Sequence, residues 1–433
     1  MMLPALDYDA TSTHDALLAE LEKCRKRERH LHTHYLAAVN AGDLKKADTA
    51  EHAYLTSTAV RFVALVQGTT GLPPSIRPNI QECKELAPAL KLYGSVTEAV
   101  KVFAIPKSDG GFRTVSSFGP MHRAAQWMVR RLMQPHIHPQ SWQYDFKGIH
   151  CAAEDIIKVL KKQPTLFAWR GDIKSFYPSF DYDKLVDQAP LPKPVTAYAV
   201  LGRHMKVVNG SHGTHYMSPT ISSPILLLAA RRGIPQGSSA SPLIAAWALS
   251  ALNLKAPTGV HLFNYADDFL LLGPSEDAVN AAAHALAEAV AEAPGGQFLL
   301  VAKEHGPAEH GFAFLGHRFW ASPSKVEVWP TALNHTTFDQ RQERLRERAQ
   351  RRASQYATMG GAHRKVAALE TIADYRSYVR SWADAFRAYD PFIEVGDMEE
   401  YVSSFLDWCG ATTVDLEPYK ASAETWHWQG SGG

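Results

Sequence analysis

Cysteine is scarce in this 433-residue chain: Cys24, Cys83, Cys151 and Cys409 lie far apart, with no Cys-x-x-Cys pair. That spacing excludes a zinc ribbon and a disulfide framework and fits a reducing compartment. Net charge is missing too, with 45 basic residues against 44 acidic ones. A nucleic-acid partner would have to be met by local clusters, not by overall charge. No apolar run reaches membrane-spanning length, and residues 1–15 show no basic segment followed by an apolar one. The expectation is a soluble, cytoplasmic protein with no membrane partner. No internal repeat is visible. What is present is 45% hydrophobic residues, enough to fill the cores of two or three domains.

The first 68 residues read as two helices. Leu17, Leu21, Cys24, Leu31, Tyr35 and Val39 fall at helical spacing up to Gly42. Asp43 then caps a second helix carrying Tyr54, Leu55, Phe62, Val63 and Val66, which ends at Gly68. Lys23, Arg25, Lys26, Arg27 and Arg29 make a dense basic run on the first helix, either a solvated face or a phosphate contact. Residues 68–78 read as a linker. From about residue 96 strands and helices mix: a hairpin over 100–118, helices near 120–131 and 147–162, and a buried strand from 166 ending near Asp172. Val195–Ser223 reads as a loop-rich insertion, and its His204, His212 and His215 lack partners at zinc spacing. A Gly-rich turn at 231–240 leads into an apolar helix. Ser275 caps another helix, and strands follow at 298–306 and 312–320. Beyond 333 the chain is basic and helical, with six arginines in 341–352.

The chemistry concentrates in His261–Gly273, where apolar runs flank Asp267-Asp268. Two adjacent like charges at a hairpin tip repel each other and are tolerated best where a cation neutralises them. Asp172, at the end of another strand, would complete a carboxylate set suited to two divalent ions about 4 Å apart. Lys107 and Arg113 flank a hairpin tip and suit a triphosphate. Gly233, Gln236 and Gly237 mark a turn where backbone can approach a nucleotide closely.

Taken in chain order, IPK with Arg113, then DIKSFYPS, GIPQGSSASP, YADD, a lysine-bearing strand and FLGH resemble the reverse transcriptases, the bacterial ones in particular. The resemblance spans about 103–320, and more loosely extends to 390. It implies an α+β right-hand polymerase: a helical N-terminal extension (1–95), fingers and palm (96–330), a helical thumb (331–410) and a tail (411–433). It implies that Asp172, Asp267 and Asp268 are the catalytic carboxylates and metal ligands, with the backbone of Ile173 as a further metal contact. Lys107 and Arg113 match the residues that hold the incoming triphosphate, and Tyr177 matches the gate beneath the sugar. Gln236 and Gly237 match the nucleotide-pocket turn, and Phe314-Leu315-Gly316 the primer-grip strand. Lys303 matches the proton donor to leaving pyrophosphate, with a plain surface lysine as the alternative. The implied reaction is RNA-directed DNA synthesis with two Mg²⁺ ions, or Mn²⁺. Its implied partners are dNTPs, an RNA template, with a dedicated non-coding RNA as one candidate, and a DNA product; self-association stays open. Neither NAxxH nor VTG is found, SP replaces SQ after the Gly-rich turn, and no HNH nuclease follows the thumb. The chain therefore looks most like the defence-associated or unclassified bacterial enzymes, with antiphage defence as the implied setting. A group II intron-type maturase and a non-catalytic RNA-binding scaffold are the rivals.

Overall fold

The computed structural model describes residues 8–73, 76–107, 110–210, 222–254 and 257–332, with isolated positions at 340, 341, 343, 344, 347 and 378. The tail, His212, His215, the hairpin tip at Ser108-Asp109 and nearly all of the expected thumb lie outside these residues.

Helix α1 (Tyr8–Asn40) buries Leu17, Leu21, Leu31 and Tyr35 along the expected stripe, and Gly42 ends it at φ +67°. The single helix expected from Asp43 to Gly68 is in fact two, α2 (Leu44–Thr56) and α3 (Thr58–Gly68). Ser57 breaks it: its backbone is extended and its hydroxyl accepts from Val60 N at 3.4 Å. Hydroxyl side chains favour caps over helix interiors for this reason. A capping box of Asn79 and Glu82 opens α4 (Ile80–Leu86), a helix not expected from the sequence.

Strands β1 (Val100–Pro106) and β2 (Phe112–Ser117) form the expected hairpin, in register from Lys101 with Ser117 to Pro106 with Phe112. Then come α5 (Pro120–Met133), α6 (Ile149–Lys162), β3 (Phe167–Ile173), α7 (Tyr182–Gln188) and α8 (Lys193–Val195). The segment expected to be loop-rich holds a further strand, β4 (Val207–Asn209), parallel to β1. Helices α9 (Ser223–Ala230) and α10 (Ser241–Ser250) precede the hairpin β5 (His261–Tyr265) and β6 (Asp268–Gly273). Helix α11 (Glu276–Ala291) starts as expected, with Ser275 Oγ accepting from Ala278 N at 3.2 Å. Strand β7 (Leu300–Pro307) follows. The strand expected over 312–320 is two, β8 (Phe312–Phe314) and β9 (His317–Ser322), and β10 (Lys325–Pro330) closes the described chain.

These elements form two compact units that interleave along the sequence. The first comprises Met1–Gln143, Gly171–Thr258 and Asn280–Lys303. In it α3 packs on α5 and α1, and a Cβ on Gly68 would stand 2.8 Å from Arg123 O, so the helices meet backbone to backbone. Tyr35 OH donates to Leu132 O at 3.0 Å, and Arg131 reaches Glu28 at 3.0 Å. The sheet β2-β1-β4 packs Val100, Val102 and Phe118 on Met205 and Leu226.

The second unit comprises Tyr144–Arg170, Gly259–Val279 and Glu304–Gly433. Its sheet runs β5-β6-β3-β7, with β3 contributing up to Arg170 and β7 from Glu304. Ile156 and Leu160 of α6 pack with Phe263, Leu270, Leu272, Phe314 and Phe319 in one core. A second sheet runs β10-β9-β8. The mixture of helix and sheet agrees with the expected α+β class. Among the described residues, no helix is long and apolar enough to cross a membrane.

Candidate active site

In the first unit, β3 ends on Asp172 and Ile173. Asp172 is partly exposed, and its Oδ2 lies 3.2 Å from Lys303 Nζ. Lys303, itself half exposed, is thus ion-paired with that carboxylate. Ile173, which follows Asp172, is buried at 1% exposure. The chain then turns through Ser175 at φ +51°, and Ser175 O accepts from both the N–H and the hydroxyl of Ser179. Phe176 goes inward against Phe180 and Phe298, with ring centroids 5.4 and 5.2 Å away. Packing thus falls to Phe176, while Tyr177 stays partly exposed.

The Gly-rich turn closes on this segment. Ile234 N donates to Tyr177 O at 3.1 Å, and a Cβ on Gly233 would lie 2.1 Å from that same oxygen. Only glycine fits there. On the other side Ser116 N donates to Gln236 O at 2.8 Å, and a Cβ on Gly237 (φ +102°) would lie 2.2 Å from Ser116 O. Ser116 belongs to β2, the strand that carries Arg113, and Lys107 N pairs with Gly111 O at 2.9 Å across the mouth of the same hairpin. The first unit therefore joins the hairpin of Lys107 and Arg113, the turn of Gln236 and Gly237, and the segment of Tyr177. Both cationic side chains are exposed. Gln236 Oε1 is buried with no hydrogen-bond partner among the described residues.

In the second unit Tyr265 pairs with Asp268, so Ala266-Asp267 forms a two-residue hairpin loop. Ala266 sits at φ +50°, a left-handed conformation usually left to glycine at the first position of such a loop. The turn is gripped on both sides. Asp145 Oδ1 accepts from Ala266 N at 2.9 Å, while Asn264 Nδ2 donates to Ala266 O at 2.9 Å and to Asp268 O at 3.1 Å. Tyr144 N in turn donates to Asn264 O at 2.9 Å. Burial pushes the Asp145 carboxyl above its ordinary range, against the lowering effect of the Ala266 N–H. Asp268 Oδ1 accepts from Arg170 Nη2 at 3.0 Å. The Phe314-Leu315-Gly316 segment is another tight turn, with φ +49° at Leu315 and +79° at Gly316.

Residues 105–319 match the family model described as reverse transcriptase (RNA-dependent DNA polymerase). This central stretch is similar to reverse transcriptase domains. No curated protein matches the chain. Among solved structures, it is similar to telomerase from Candida albicans in complex with a fragment of telomeric RNA: 14% identity, TM-score 0.33, 79% of this chain and 65% of that one. Apo telomerase from Candida Tropicalis is similar at 15% identity and TM-score 0.34, over 53% of this chain and 48% of that one. A form truncated of its C-terminal domain is similar at 14% identity and TM-score 0.29, over 54% and 56%. The chain thus spans less than two thirds of the telomerase chains it matches, at a distance that adds nothing to the assignment.

All ten expected site residues, from Lys107 to Lys303, fall within the matched segment. Three residues that organise them were not singled out in the sequence: Asp145, Arg170 and Asn264. A signal existed for two. Arg170 and Asn264 interrupt otherwise apolar strands, and Arg170 lies two residues before Asp172, on the same face of β3. Asp145 offered no signal. Among the described residues no group of three His, Cys, Asp or Glu side chains forms a ready metal cage. The fit of a divalent ion rests on donor chemistry: Asp172 and Asp268 are partly exposed carboxylates already faced by Lys303 and Arg170, and hard oxygen donors suit Mg²⁺.

Proposed function

We propose that the chain is a right-hand DNA polymerase, with fingers, palm and thumb, that copies a dedicated structured RNA. The observation that carries this reading is the YADD loop, held at an unfavourable backbone conformation by the buried Asn264 and the partly buried Asp145 inside the reverse-transcriptase-like segment. Strain kept at a turn that bears two acids has a natural explanation in positioning them. Asp172, Asp267 and Asp268, with the carbonyl of Ile173, would hold two Mg²⁺ ions, which when bound supply activation of the primer hydroxyl and neutralisation of the leaving pyrophosphate.

The remaining roles belong to the protein. Lys107 and Arg113 bind the triphosphate of the incoming dNTP, Arg113 through its planar fork. The Gln236-Gly237 turn lies along the nucleotide, with Gln236 Oε1 oriented for a polar contact. Tyr177 stands beneath the sugar and excludes a 2′-hydroxyl by bulk. Lys303 donates a proton to the leaving pyrophosphate. The departures from retron and intron patterns support a place among the defence-associated bacterial enzymes, in the cytoplasm.

The test is Asp267→Asn. Its product should fold, with an unchanged melting temperature and RNA affinity, and should fail to extend a primer with dNTPs in Mg²⁺. Substantial extension by the purified variant would remove Asp267 from the metal set.

A further inference from the structure

The first unit contains a second concave site, a cleft of about 340 Å³ lined by Tyr182, Arg203, Arg231, Arg232, Gly233 and Gln297, among others. Four chain segments build it, and backbone hydrogen bonds fix them to one another. Gly202 N donates to Gly233 O at 3.1 Å, Ile234 N to Tyr177 O at 3.1 Å, and Gln297 N to Ser179 O at 3.0 Å. The short 3-10 turn bearing Arg203 (Gly202–His204) can approach α9 only because residue 202 is glycine: a Cβ there would stand 2.7 Å from Ala230 O. That approach sets Arg203 beside Arg231 and Arg232.

Three guanidiniums gathered at one cleft repel each other, and among the described residues none has a carboxylate within ion-pairing distance. The acid in the lining, Asp181, is spent on capping α7 through Lys184 N at 3.0 Å. Arg231 and Arg232 follow the C-terminus of α9, where the helix dipole favours cations. That accounts for two of the three and leaves Arg203 unexplained. The Arg203 guanidinium stands over the Tyr182 ring, its carbon 4.5 Å from the centroid, and His204 Nε2 meets Tyr182 OH at 3.1 Å, so the guanidinium is held in place rather than adrift. Planar forks next to an aromatic face are the means by which proteins hold phosphodiesters and stack on bases.

We propose that this cleft is a phosphate-ester site that holds the backbone of a single-stranded nucleic acid. The identity of the occupant rests on the polymerase reading above; the anion-binding chemistry does not. The experiment measures the affinity of the full chain for a fluorescent single-stranded RNA across a NaCl series, for wild type and for the triple variant Arg203→Gln, Arg231→Gln, Arg232→Gln. Each phosphate contact to a single strand contributes about 0.7 to the slope of log K against log salt, so the variant should lose about 2 of slope and bind roughly tenfold or more weakly at low salt. An unchanged slope overturns the site. Pyrophosphate and dATP serve as competitors: if they displace the RNA at equal concentration and only their binding falls in the variant, the strand assignment is overturned in favour of a free nucleotide. Should the triple variant melt early, photocrosslinking of wild type to 5-iodouridine RNA replaces it. An adduct on Tyr182 supports the cleft, and adducts confined to other segments overturn it. Asp267→Asn run in parallel should keep the wild-type slope, which separates failure of the cleft from failure of the catalytic assignment.

Discussion

Glu51 lies on α2 with its side chain 8% exposed and Oε1 lacking a hydrogen-bond partner among the described residues. Burial, helped by nearby Asp48, pushes its carboxyl from 4.5 up to about 8. The folded value stands above the unfolded one, so the folded state holds this proton more tightly. Its contribution to stability is therefore complete below about pH 4.5 and is lost as pH rises towards 8. Glu51→Gln should leave the melting temperature nearly unchanged at pH 4.5 and stabilise the chain by roughly 2–4 kcal/mol at pH 9, read from paired denaturation curves. Equal stability of the two proteins at pH 9 would mean that the buried carboxyl is solvated. Nothing in the sequence distinguishes Glu51 from the other acids of an amphipathic helix, because its burial depends on how α1, α2 and α3 pack. Asp267-Asp268 stood out as a candidate for the opposite reason: adjacent acids between apolar strand residues are locally costly and visible without any tertiary knowledge. Tyr177 was singled out by the resemblance, not by its neighbourhood. That Phe176 and not Tyr177 fills the core became clear only from the contacts with Phe180 and Phe298.

At the scale of elements, the β5–β6 hairpin shows how a short motif depends on residues far away in sequence. The run HLFNYADDFLLLG gives strand, turn and strand, and the register follows from alternation. It does not show that Ala266 adopts φ +50°, nor that Asp145, 121 residues away, anchors its N–H. A non-glycine residue in the left-handed region costs about 1–3 kcal/mol and persists where its surroundings impose it. The three such residues among those described are Ser175, Ala266 and Leu315, one in each of three motif segments. Asp145→Ala should therefore slow nucleotide addition tenfold or more with little change in the KM for dNTP, since the triphosphate contacts lie elsewhere. Asp145→Asn, which keeps an oxygen to accept from Ala266 N, should recover most of the rate. Primer-extension kinetics on both variants check this, and equal losses in the two would assign the effect to charge rather than to positioning. The same logic explains other misreadings of elements. Ser57 splits a helix that periodicity alone would continue, and β4 is three residues long, defined by its pairing to β1 and not by its own pattern.

At the scale of the molecule, the N-terminal helices are integral to the first unit rather than an appendage to it. The resemblance implies an extension over 1–95 followed by fingers and palm, yet the first compact unit runs without interruption from α1 through α5. Tyr35, Tyr54, Leu55 and Leu65 are fully buried or nearly so, and Tyr54 OH donates to Glu28 at 2.9 Å, the carboxylate that also receives Arg131 of α5. Removing α1–α3 would strip one face of α5 and leave Arg131 and the Leu132 carbonyl without their partners, a cost well beyond the 5–15 kcal/mol that holds a typical domain. A chain starting at Asn79 should accordingly be insoluble or melt far below the full-length protein. Charge neutralisation on the same helix is a different matter. Arg25 and Arg29 already pair with Glu22 at 3.5 and 3.1 Å, while Lys23, Lys26 and Arg27 are exposed on the outer face. Changing Lys23, Lys26 and Arg27 together to Gln should leave the melting temperature within a degree or two, because exposed charges contribute little to stability. If that face also meets RNA, the variant's salt slope falls by about 2. If the slope holds, the run is a solvated surface and the contribution of α1 to function is the support it gives α5. A truncated chain that stayed folded and active would overturn this integral role.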